Sequence, residues 1–195
     1  MTIGRPLQFD PDASLERAME TFWAQGYEAT SMQDLLRAMN LSKSSLYQFY
    51  GNKQNLFERC LAHYCSVQTA QMRRQLDASD SGVAFIEDLF RQTARGAGET
   101  SGRRGCLLMN TASELGSRVP WVGDPVATGK HAFSEVFRAA ILRAQQEGDV
   151  PFEHNAESLA LYLVSSMSGL RTQLKAGTSV EQADAIIDAV LRALK

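Results

Sequence analysis

The sequence predicts an all-α protein of about nine helices, and three observations support this fold class. Apolar residues recur at three- and four-residue spacing along most of the chain, as in amphipathic helices. No segment shows the alternation of apolar and polar residues that a half-buried strand requires. Only five of the 195 residues are proline, and three of these fall at apparent helix boundaries. We therefore expect a small N-terminal helical domain, residues 1–52, and a larger helical domain, residues 53–195.

The first helix is expected from Pro11 to Gln25. Asp10 suits the N-cap, Pro11 suits the first helical position, and Gly26 ends the helix. Its apolar face consists of Leu15, Ala18, Met19 and Phe22. We expect this face to pack against the next two helices.

Two short helices with a tight turn between them are expected from residue 30 to residue 49. Asn40 ends the first of them, because asparagine tolerates left-handed backbone angles. Ser42 is the N-cap of the second, Lys43 to Phe49, and its hydroxyl can accept a hydrogen bond from the amide of Ser44 or Ser45. The exposed face of this second helix offers hydrogen-bond donors and no acid. Such a face suits phosphates and base edges in a major groove, so the pattern predicts a DNA-binding helix-turn-helix.

Each residue of this segment has an expected role. Ser44 and Ser45 are expected to contact base edges, and Lys43 a base or a phosphate. Thr30 is expected to cap the helix before the recognition helix and to bind a phosphate. Tyr50 is expected to be a core aromatic. Tyr47 and Lys53 are expected phosphate contacts, and Gln48 suits either kind; the full set is Thr30, Ser31, Ser42, Lys43, Ser44, Ser45, Tyr47, Gln48 and Lys53.

The remaining helices follow from apolar stripes and from Gly- or Pro-containing breaks. A long helix from Lys53 to Leu76 is expected to connect the two domains, and residues 77–82 are a loop by composition. Gly-containing or polar segments then separate five further helices. Their expected ranges are 83–98, 106–115, 126–146, 155–175 and 180–194.

The charge of the chain does not by itself indicate a nucleic-acid partner. The net charge is −2, and residues 1–55 contain five cations and six acids. A DNA-binding domain more often has a clear basic excess. We therefore expect hydroxyl groups and helix N-termini to supply many phosphate contacts, and the salt dependence of binding to be shallow.

Composition also argues against several classes of protein. No apolar run reaches the roughly 18 residues of a membrane span, and the N-terminus lacks a secretory pattern, so no membrane association is expected. Three cysteines fit a reducing cytoplasm rather than a disulfide framework. The three histidines lack metal-ligand spacing, and no phosphate-binding loop or nucleophile motif occurs. We expect no metal, no cofactor and no enzymatic activity.

From Phe22 to Tyr64 the chain resembles the DNA-binding segment of the TetR family of bacterial repressors. It departs from the family pattern at Phe49, where the family often has a histidine, and this side chain offers no phosphate contact. A looser resemblance to an AcrR-like regulatory domain rests on Arg104-Gly105-Cys106-Leu107-Leu108 and Glu114-Leu115. The matching residues of the first segment are Gly26-Tyr27, Thr30-Ser31, Asn40-Leu41-Ser42-Lys43, Leu46-Tyr47, Phe49-Tyr50, Gly51-Asn52-Lys53 and Leu56-Phe57.

The resemblance implies a homodimeric repressor that binds a palindromic operator in double-stranded DNA and that a small effector releases. The interface would be a four-helix arrangement of residues 155–175 and 180–194 from two copies. Alternatively, the apolar faces of these helices pack into their own domain. The faces consist of Leu159, Leu163, Ser166, Gly169 and Leu170 in the first helix and Ile186, Ile187, Val190 and Leu194 in the second, and Ser165 and Ser168 add to the small residues.

An effector pocket is expected among the four helices 83–98, 106–116, 126–146 and 155–175, since pockets often lie between bundle helices. The aromatic and Met-rich candidates indicate an apolar or aromatic effector of modest size. Each of these residues also fits a plain core position. The candidates are Leu89, Phe90, Met109, Trp121, Phe133, Phe137, Tyr162 and Met167.

Cys106 supports an alternative means of regulation. It follows Arg103 and Arg104 at an expected helix start, where cations and the helix dipole favour thiolate. A repressor that senses oxidants or electrophiles through Cys106 is therefore one hypothesis, and a buried core cysteine is the other. An enzyme with Cys106 as nucleophile would need a neighbouring base, which the adjacent sequence does not supply. A helical interaction protein without DNA binding remains a further alternative.

Overall fold

A computed structural model describes residues 9–96, 104–116 and 118–195, which form helices and no strand. The all-α prediction is confirmed. None of the described helices combines the length and apolarity that a bilayer crossing requires. The helices are α1 Pro11–Gln25, α2 Met32–Met39, α3 Lys43–Tyr50, α4 Lys53–Ala78, α5 Gly82–Arg95, α6 Leu107–Leu115, α7 Gly123–Glu147, α8 Ala156–Lys175 and α9 Val180–Arg192, with a 3-10 turn at Pro120–Val122 before α7.

The chain divides into two compact units at Tyr64 and Cys65, inside helix α4. The first unit contains α1, α2, α3 and the first part of α4. The second contains the rest of α4 and helices α5 to α9. One continuous helix of 26 residues therefore belongs to both units.

Helix α1 begins as its sequence predicts and packs into the core of the first unit. The Asp10 side chain accepts hydrogen bonds from the amides of Asp12 and Ala13 at 3.0 and 3.2 Å. Phe22 is fully buried, and its ring lies edge-on to Phe57 with 4.8 Å between centroids. The apolar residues of α2 and α3 complete this core, which fixes the orientation of α3; they are Leu35, Met39, Leu46 and Tyr50.

Helices α5, α7, α8 and α9 surround the main core of the second unit. Gly82, the first residue of α5, lies against the backbone of α7, where a Cβ would come within 2.2 Å of the Ala140 carbonyl oxygen. Its amide donates to Glu147 at 2.8 Å. Arg143 also donates to Glu147, at 2.7 Å, and to the Leu76 carbonyl at the end of α4, at 2.9 Å. These bonds join the ends of α4, α5 and α7.

Helix α7 begins three residues earlier than its apolar pattern predicts, at Gly123 rather than at residue 126. Pro125 lies in its first turn, where a missing amide hydrogen has no helical partner to lose. The predicted 83–98 helix ends at Arg95 in the structure, and residues 97 and 98 lie outside the described residues.

The apolar stripes of α8 and α9 pack into their own unit. Leu163 and Ile187 are fully buried, and Leu170, Val190 and Leu194 are at most 4% exposed. These five residues therefore do not form a face for a second copy of the chain. For them, the expected dimer interface is wrong, and the alternative of packing into their own domain is right. The outward face of α8 instead carries Leu161, Tyr162, Ser165 and Gly169.

Candidate nucleic-acid interface and regulatory cavity

The start of α3 is a cluster of three serine hydroxyl groups. The Ser42 hydroxyl accepts from the Ser45 amide at 3.1 Å, as an N-cap does. It also lies 3.0 Å from the Ser44 hydroxyl and 2.8 Å from the Ser45 hydroxyl. The first turn of α3 contains no acid. Hydroxyl donors thus stand at the positive end of a helix dipole without a carboxylate beside them.

The predicted contact residues on α3 are mostly exposed. Lys43, Ser44 and Gln48 are exposed, and Ser45 is half-buried. Tyr47 is 45% exposed, and the Lys43 amine lies 5.9 Å from the centroid of its ring. The cation and the phenol therefore lie close together on the outer face of the helix.

Two aromatic residues of α3 have structural positions instead. Tyr50 is 2% exposed, and its hydroxyl donates to the Pro11 carbonyl at 3.1 Å, which confirms its expected place in the core. Phe49 packs edge-on against Tyr50 and Phe9. Its ring therefore belongs to an aromatic cluster at the C-terminal end of α3.

The expected role of Thr30 is wrong. Thr30 is fully buried, and its hydroxyl donates to the Gly26 carbonyl at 2.6 Å, so it is not available to a phosphate. The N-cap of α2 is Ser31, whose hydroxyl accepts from the Asp34 amide at 3.1 Å. The Asp34 carboxylate accepts in return from the Ser31 amide and hydroxyl, which closes a capping box. These hydrogen bonds from Ser31 lower the pKa of Asp34 below its ordinary value.

Helix α4 begins beside this interface, and two residues there were missed by the sequence reasoning. Asn52 caps the helix by accepting from the Asn55 amide at 2.8 Å. The Tyr27 ring lies under Lys53, whose amine is 4.5 Å from the ring centroid. Asparagine directly before a helix is a recognisable N-cap pattern, whereas the cation–π contact depends on tertiary packing. Lys53 is therefore held at the start of α4.

The second unit contains a cavity of about 360 Å³, within the size range of small-molecule sites. Five helices or helix starts line it: α4, α5, the start of α6, α7 and α8. The cavity residues from α4 and α5 are Gln68, Gln71, Met72, Gln75, Leu89, Gln92 and Thr93, and the others are Cys106, Leu108, Met109, Lys130, Phe133, Phe137, Val164, Met167, Ser168 and Arg171.

Five of the eight effector candidates lie on this cavity, and three do not. Phe90 is fully buried in the core, with its ring 6.3 Å from that of Phe137. Trp121 lies in the 3-10 turn and Tyr162 on the outward face of α8, where it is 37% exposed. The candidates on the cavity are Leu89, Met109, Phe133, Phe137 and Met167.

The sequence prediction included no residue of α4 in the pocket, yet α4 contributes three glutamines to the cavity wall. Gln68, Gln71 and Gln75 recur at three- and four-residue spacing, so they occupy one side of the helix. Gln75 donates to Gln92 of α5 at 3.1 Å. A stripe of amides at helical spacing is visible in the sequence, but it looks the same on a solvated helix. The cavity is more polar than the expected aromatic wall.

Cys106 is the N-cap residue of α6, is buried, and lines the cavity. Its side chain makes no capping hydrogen bond. Arg103 lies outside the described residues. Desolvation by burial raises the pKa of the Cys65 thiol to about 12, and charge on Cys106 adds a smaller contribution. Desolvation by burial also raises the pKa of the Cys60 thiol. At neutral pH these two cysteines are therefore protonated, unreactive thiols.

The histidines do not form a metal site with other ligands in the described ranges. His63 lies 2.8 Å from the Glu16 carboxylate. No three potential ligands of the histidine, cysteine or carboxylate type converge within residues 9–96, 104–116 and 118–195.

Comparisons with known proteins match both units. Residues 15–60 match the profile described as "Bacterial regulatory proteins, tetR family", and residues 82–190 match "Tetracyclin repressor-like, C-terminal domain". The HTH-type transcriptional repressor ComR of Escherichia coli (strain K12) is 31% identical over 97% of this chain and 90% of its own. The uncharacterized HTH-type regulator YezE of Bacillus subtilis (strain 168) is 28% identical over 98% and 100%.

Among solved structures, the TetR family regulator CifR, as a cysteine mutant complexed with 26-base-pair operator DNA, is similar over 98% of this chain and 100% of that chain. The identity is 31% and the TM-score 0.85. The resemblance seen at Phe22–Tyr64 is confirmed. The chain belongs to the TetR family of bacterial regulatory proteins, a family of helix-turn-helix transcriptional regulators.

Proposed function

We propose that this regulator is a homodimeric repressor that binds an inverted-repeat operator through α3 and leaves it when a small effector enters the cavity. Residues 1–52 bind DNA in this proposal, and residues 53–195 bind effector and dimerise, in the cytoplasm. The observation that carries the proposal is the acid-free, hydroxyl-rich start of α3. The complex of CifR with operator DNA supports it by similarity.

The contacts on α3 divide by their chemistry. Ser44 is exposed and suits a base edge. Ser45 is half-buried, and its hydroxyl is bonded to that of Ser42, so a contact with a base edge requires the hydroxyl to rotate. Lys43 and Tyr47 suit phosphates because both extend from the outer face. Gln48 suits a base edge or a phosphate, and Ser31, Ser42 and Lys53 lie at the helix starts that face phosphates most favourably.

The dimer would form through the outward faces of α8 and α9. Leu161 is 52% exposed and Tyr162 37% exposed. A Cβ built on Gly169 meets no described atom within 4 Å apart from its chain neighbours and the adjacent backbone of its own helix. Helix α9 adds the exposed small residues Ala185 and Ala189. Apolar and small side chains on one face allow close helix packing. A two-fold dimer also matches an inverted repeat, because each copy meets one half-site.

Effector release requires a difference in affinity between two states. A ligand that weakens operator binding tenfold must bind the released state about 1.4 kcal/mol more tightly than the DNA-bound state. Helix α4 supplies one cavity wall through Gln68, Gln71 and Gln75 and also supplies Lys53 to the first unit. We propose that a shift of α4 on effector binding changes the spacing of the two recognition helices.

A selection from random duplexes, followed by titration at two salt concentrations, tests the DNA-binding proposal. We expect an enriched inverted repeat bound by a dimer, with affinity falling as salt rises. Replacing Lys43 and Ser44 with alanine should lower affinity about 100-fold, since each direct contact contributes roughly 1–3 kcal/mol. Circular dichroism should be unchanged, because both side chains are exposed.

The matched control is Arg95→Ala, which removes an exposed cation from the last turn of α5 in the second unit. It should leave operator affinity within about twofold. Failure to enrich any sequence, or an undiminished affinity of the Lys43 and Ser44 double variant, would reject α3 as the recognition helix. The helical interaction protein without DNA binding would then be the better description.

A thiol-sensing repressor is the second candidate, because Cys106 is the cysteine that lines the cavity. The CifR chain in the operator complex carries cysteine substitutions, which makes the comparison relevant. Operator binding should then be lost on treatment with an oxidant and retained in Cys106→Ser. If oxidant has no effect, or acts equally on the Ser variant, regulation through Cys106 is excluded.

A further inference from the structure

We propose that the effector is a carboxylate with an apolar body, and that its anionic group binds at the end of the cavity formed by Lys130, Arg171 and the start of α6. This inference rests on the proposed role of the cavity as the effector site. It replaces the apolar or aromatic effector expected from the sequence with an amphipathic anion of defined orientation.

The charged residues in the described lining of the cavity have one sign. Lys130 and Arg171 are the charged residues among those that line it, and no acid belongs to the described lining. Arg171 is half-buried and Lys130 is exposed. Lys130 therefore lies where the wall meets solvent. A described lining with two cations and no carboxylate favours an anionic ligand over a neutral or cationic ligand of the same shape.

Both cations lie toward the same end of the cavity. Helices α7 and α8 are joined by the short segment 148–155, which makes them antiparallel neighbours. With a rise of 1.5 Å per residue, Lys130 lies about 25 Å along α7 from the residue where α7 meets this connection. Arg171 lies about 23 Å along α8 from the residue where α8 begins after it. The two side chains therefore come from equivalent levels of two packed helices. Equal levels are what a shared contact with one carboxylate requires, and the planar guanidinium of Arg171 suits a bidentate contact.

The start of α6 adds to the positive potential at this end. A Cβ built on Gly105 would lie 3.5 Å from Cδ of Lys175, the last residue of α8, so α6 begins beside the C-terminal end of α8. Its first residues Cys106, Leu108 and Met109 line the cavity, and the Cys106 side chain does not cap the helix. An N-terminal helix end carries partial positive charge, which attracts an anion.

The apolar part of the wall lies nearer to the connection between α7 and α8. Phe137 lies about 15 Å along α7 from this connection, and Val164 lies about 12 Å along α8 from it. Both residues line the cavity. Phe133, Met167 and Leu89 extend this apolar surface. The ligand body therefore faces aromatic and aliphatic side chains while its carboxylate faces the cations. The glutamines of α4 offer hydrogen bonds along one side of the body.

Isothermal titration of the full chain with matched probes tests this inference without knowledge of the natural effector. The probes are 3-phenylpropanoate, 3-phenylpropanamide and 3-phenylpropan-1-amine, with octanoate and octanamide as an aliphatic pair. Acid and amide have nearly the same shape, so their difference reports the charge. We expect at least one acid to bind at least about tenfold more tightly than its amide, and the amine to bind most weakly.

The variants Arg171→Met and Lys130→Met keep apolar bulk and remove one charge each. Each should reduce the preference for acid over amide, and the double variant should abolish it. Arg95→Met is the matched control and should keep the full preference, because Arg95 is exposed at the end of α5 and does not line the cavity. Circular dichroism and binding to the selected operator check that each variant is folded.

Three outcomes would overturn the inference: neither acid binds, an amide binds as well as its acid, or the double variant keeps the preference of the unmodified chain. Its failure is separable from failure of the proposed function, since operator binding is measured without any probe. A chain that binds the operator but no acid rejects only the ligand class. A chain that binds acid but no duplex rejects DNA binding and leaves the ligand class standing.

Discussion

The two units of the molecule place their functional residues in opposite ways. In the first unit, most of the proposed DNA contacts lie between Ser42 and Gln48 on α3, and only Ser31 and Lys53 come from the starts of the flanking helices α2 and α4. In the second unit, the cavity wall comes from five helices and from residues as far apart as Gln68 and Arg171. A site built on one helix is specified by local chemistry, whereas a site between helices is whatever space their packing leaves.

This difference also governs what supports each site. The α3 surface depends on its cap at Ser42 and on the buried residues that orient the helix. The cavity depends on how closely helices such as α5 and α7 approach each other, which Gly82 sets. Substitutions of buried residues should therefore have effects confined mainly to the unit that contains them.

The largest expected effect is that of Leu46→Ala in the first unit. Leu46 is fully buried on α3, and loss of such a side chain costs about 2–5 kcal/mol of the free energy of unfolding. Amide hydrogen exchange, measured separately for each unit, should become faster in residues 11–50 and change little in α7 and α8. Binding of the acid probes should persist while operator binding is lost.

The reciprocal substitution, Leu163→Ala on α8, is the control for this separation, since Leu163 is fully buried in the second unit. It should accelerate exchange in α7 and α8 first. If either variant accelerates exchange equally in both units, the units unfold as one and the contrast between them has no energetic counterpart.

A smaller effect is expected for Gly82→Ala, which tests how the second unit maintains its cavity. The new Cβ would lie 2.2 Å from the Ala140 carbonyl oxygen and 2.7 Å from the Ala144 amide nitrogen. Backbone atoms cannot rotate away, so α5 must shift, at a cost of about 1–3 kcal/mol. Chemical denaturation measures the loss. We also expect weaker binding of the acid probes, because Leu89 and Gln92 move with α5.

Gly123→Ala serves as the comparison, because a Cβ there meets no described atom within 4 Å apart from its chain neighbours and the adjacent backbone of its own helix. Its unfolding free energy should change by less than about 0.5 kcal/mol. Equal stability of the two variants would show that α5 and α7 can separate without cost, contrary to the close approach at Gly82.

Local chemistry explains why much of the first unit could be predicted from the sequence. Asp10 and Ser42 cap their helices as predicted, because a short polar side chain before a helical stripe is a local signal. Thr30 and Ser31 show the limit of this approach. Both have hydroxyls at the start of α2, and only the buried contact of Thr30 with Gly26 determines that Ser31 is the cap.

The cavity was predicted less well, because its wall depends on long-range packing. Phe133 and Phe137 were found because an apolar stripe must be buried somewhere. Phe90 belongs to an equally apolar stripe but faces the core, and the stripe does not distinguish these positions. The presence of the α4 glutamines in the wall, and of Lys130 and Arg171 toward one end of it, depends on which helices are neighbours. No local pattern encodes that.

The smallest expected effects come from one motif that occurs in both units. Ser31 and Asp34 form the capping box of α2, and Ser179 and Gln182 form that of α9. Replacing either serine with alanine should lower the free energy of unfolding by about 1 kcal/mol at neutral pH. The two boxes differ in that only the first contains a titratable side chain.

The pH dependence of these two penalties should therefore differ. The pKa of Asp34 is lowered in the folded state, mainly by the hydrogen bond from the Ser31 hydroxyl. The contribution of Asp34 to the free energy of unfolding is therefore complete above the ordinary pKa of an aspartate, and it is lost as the pH falls through the lowered pKa. The Ser31→Ala penalty, measured by denaturation at about pH 6 and about pH 3, should shrink at the lower pH, and that of Ser179→Ala should not. An equal decline of both penalties would assign the effect to general acid destabilisation. Asp34→Asn should make the two units behave alike, since an amide keeps the acceptor and removes the titration.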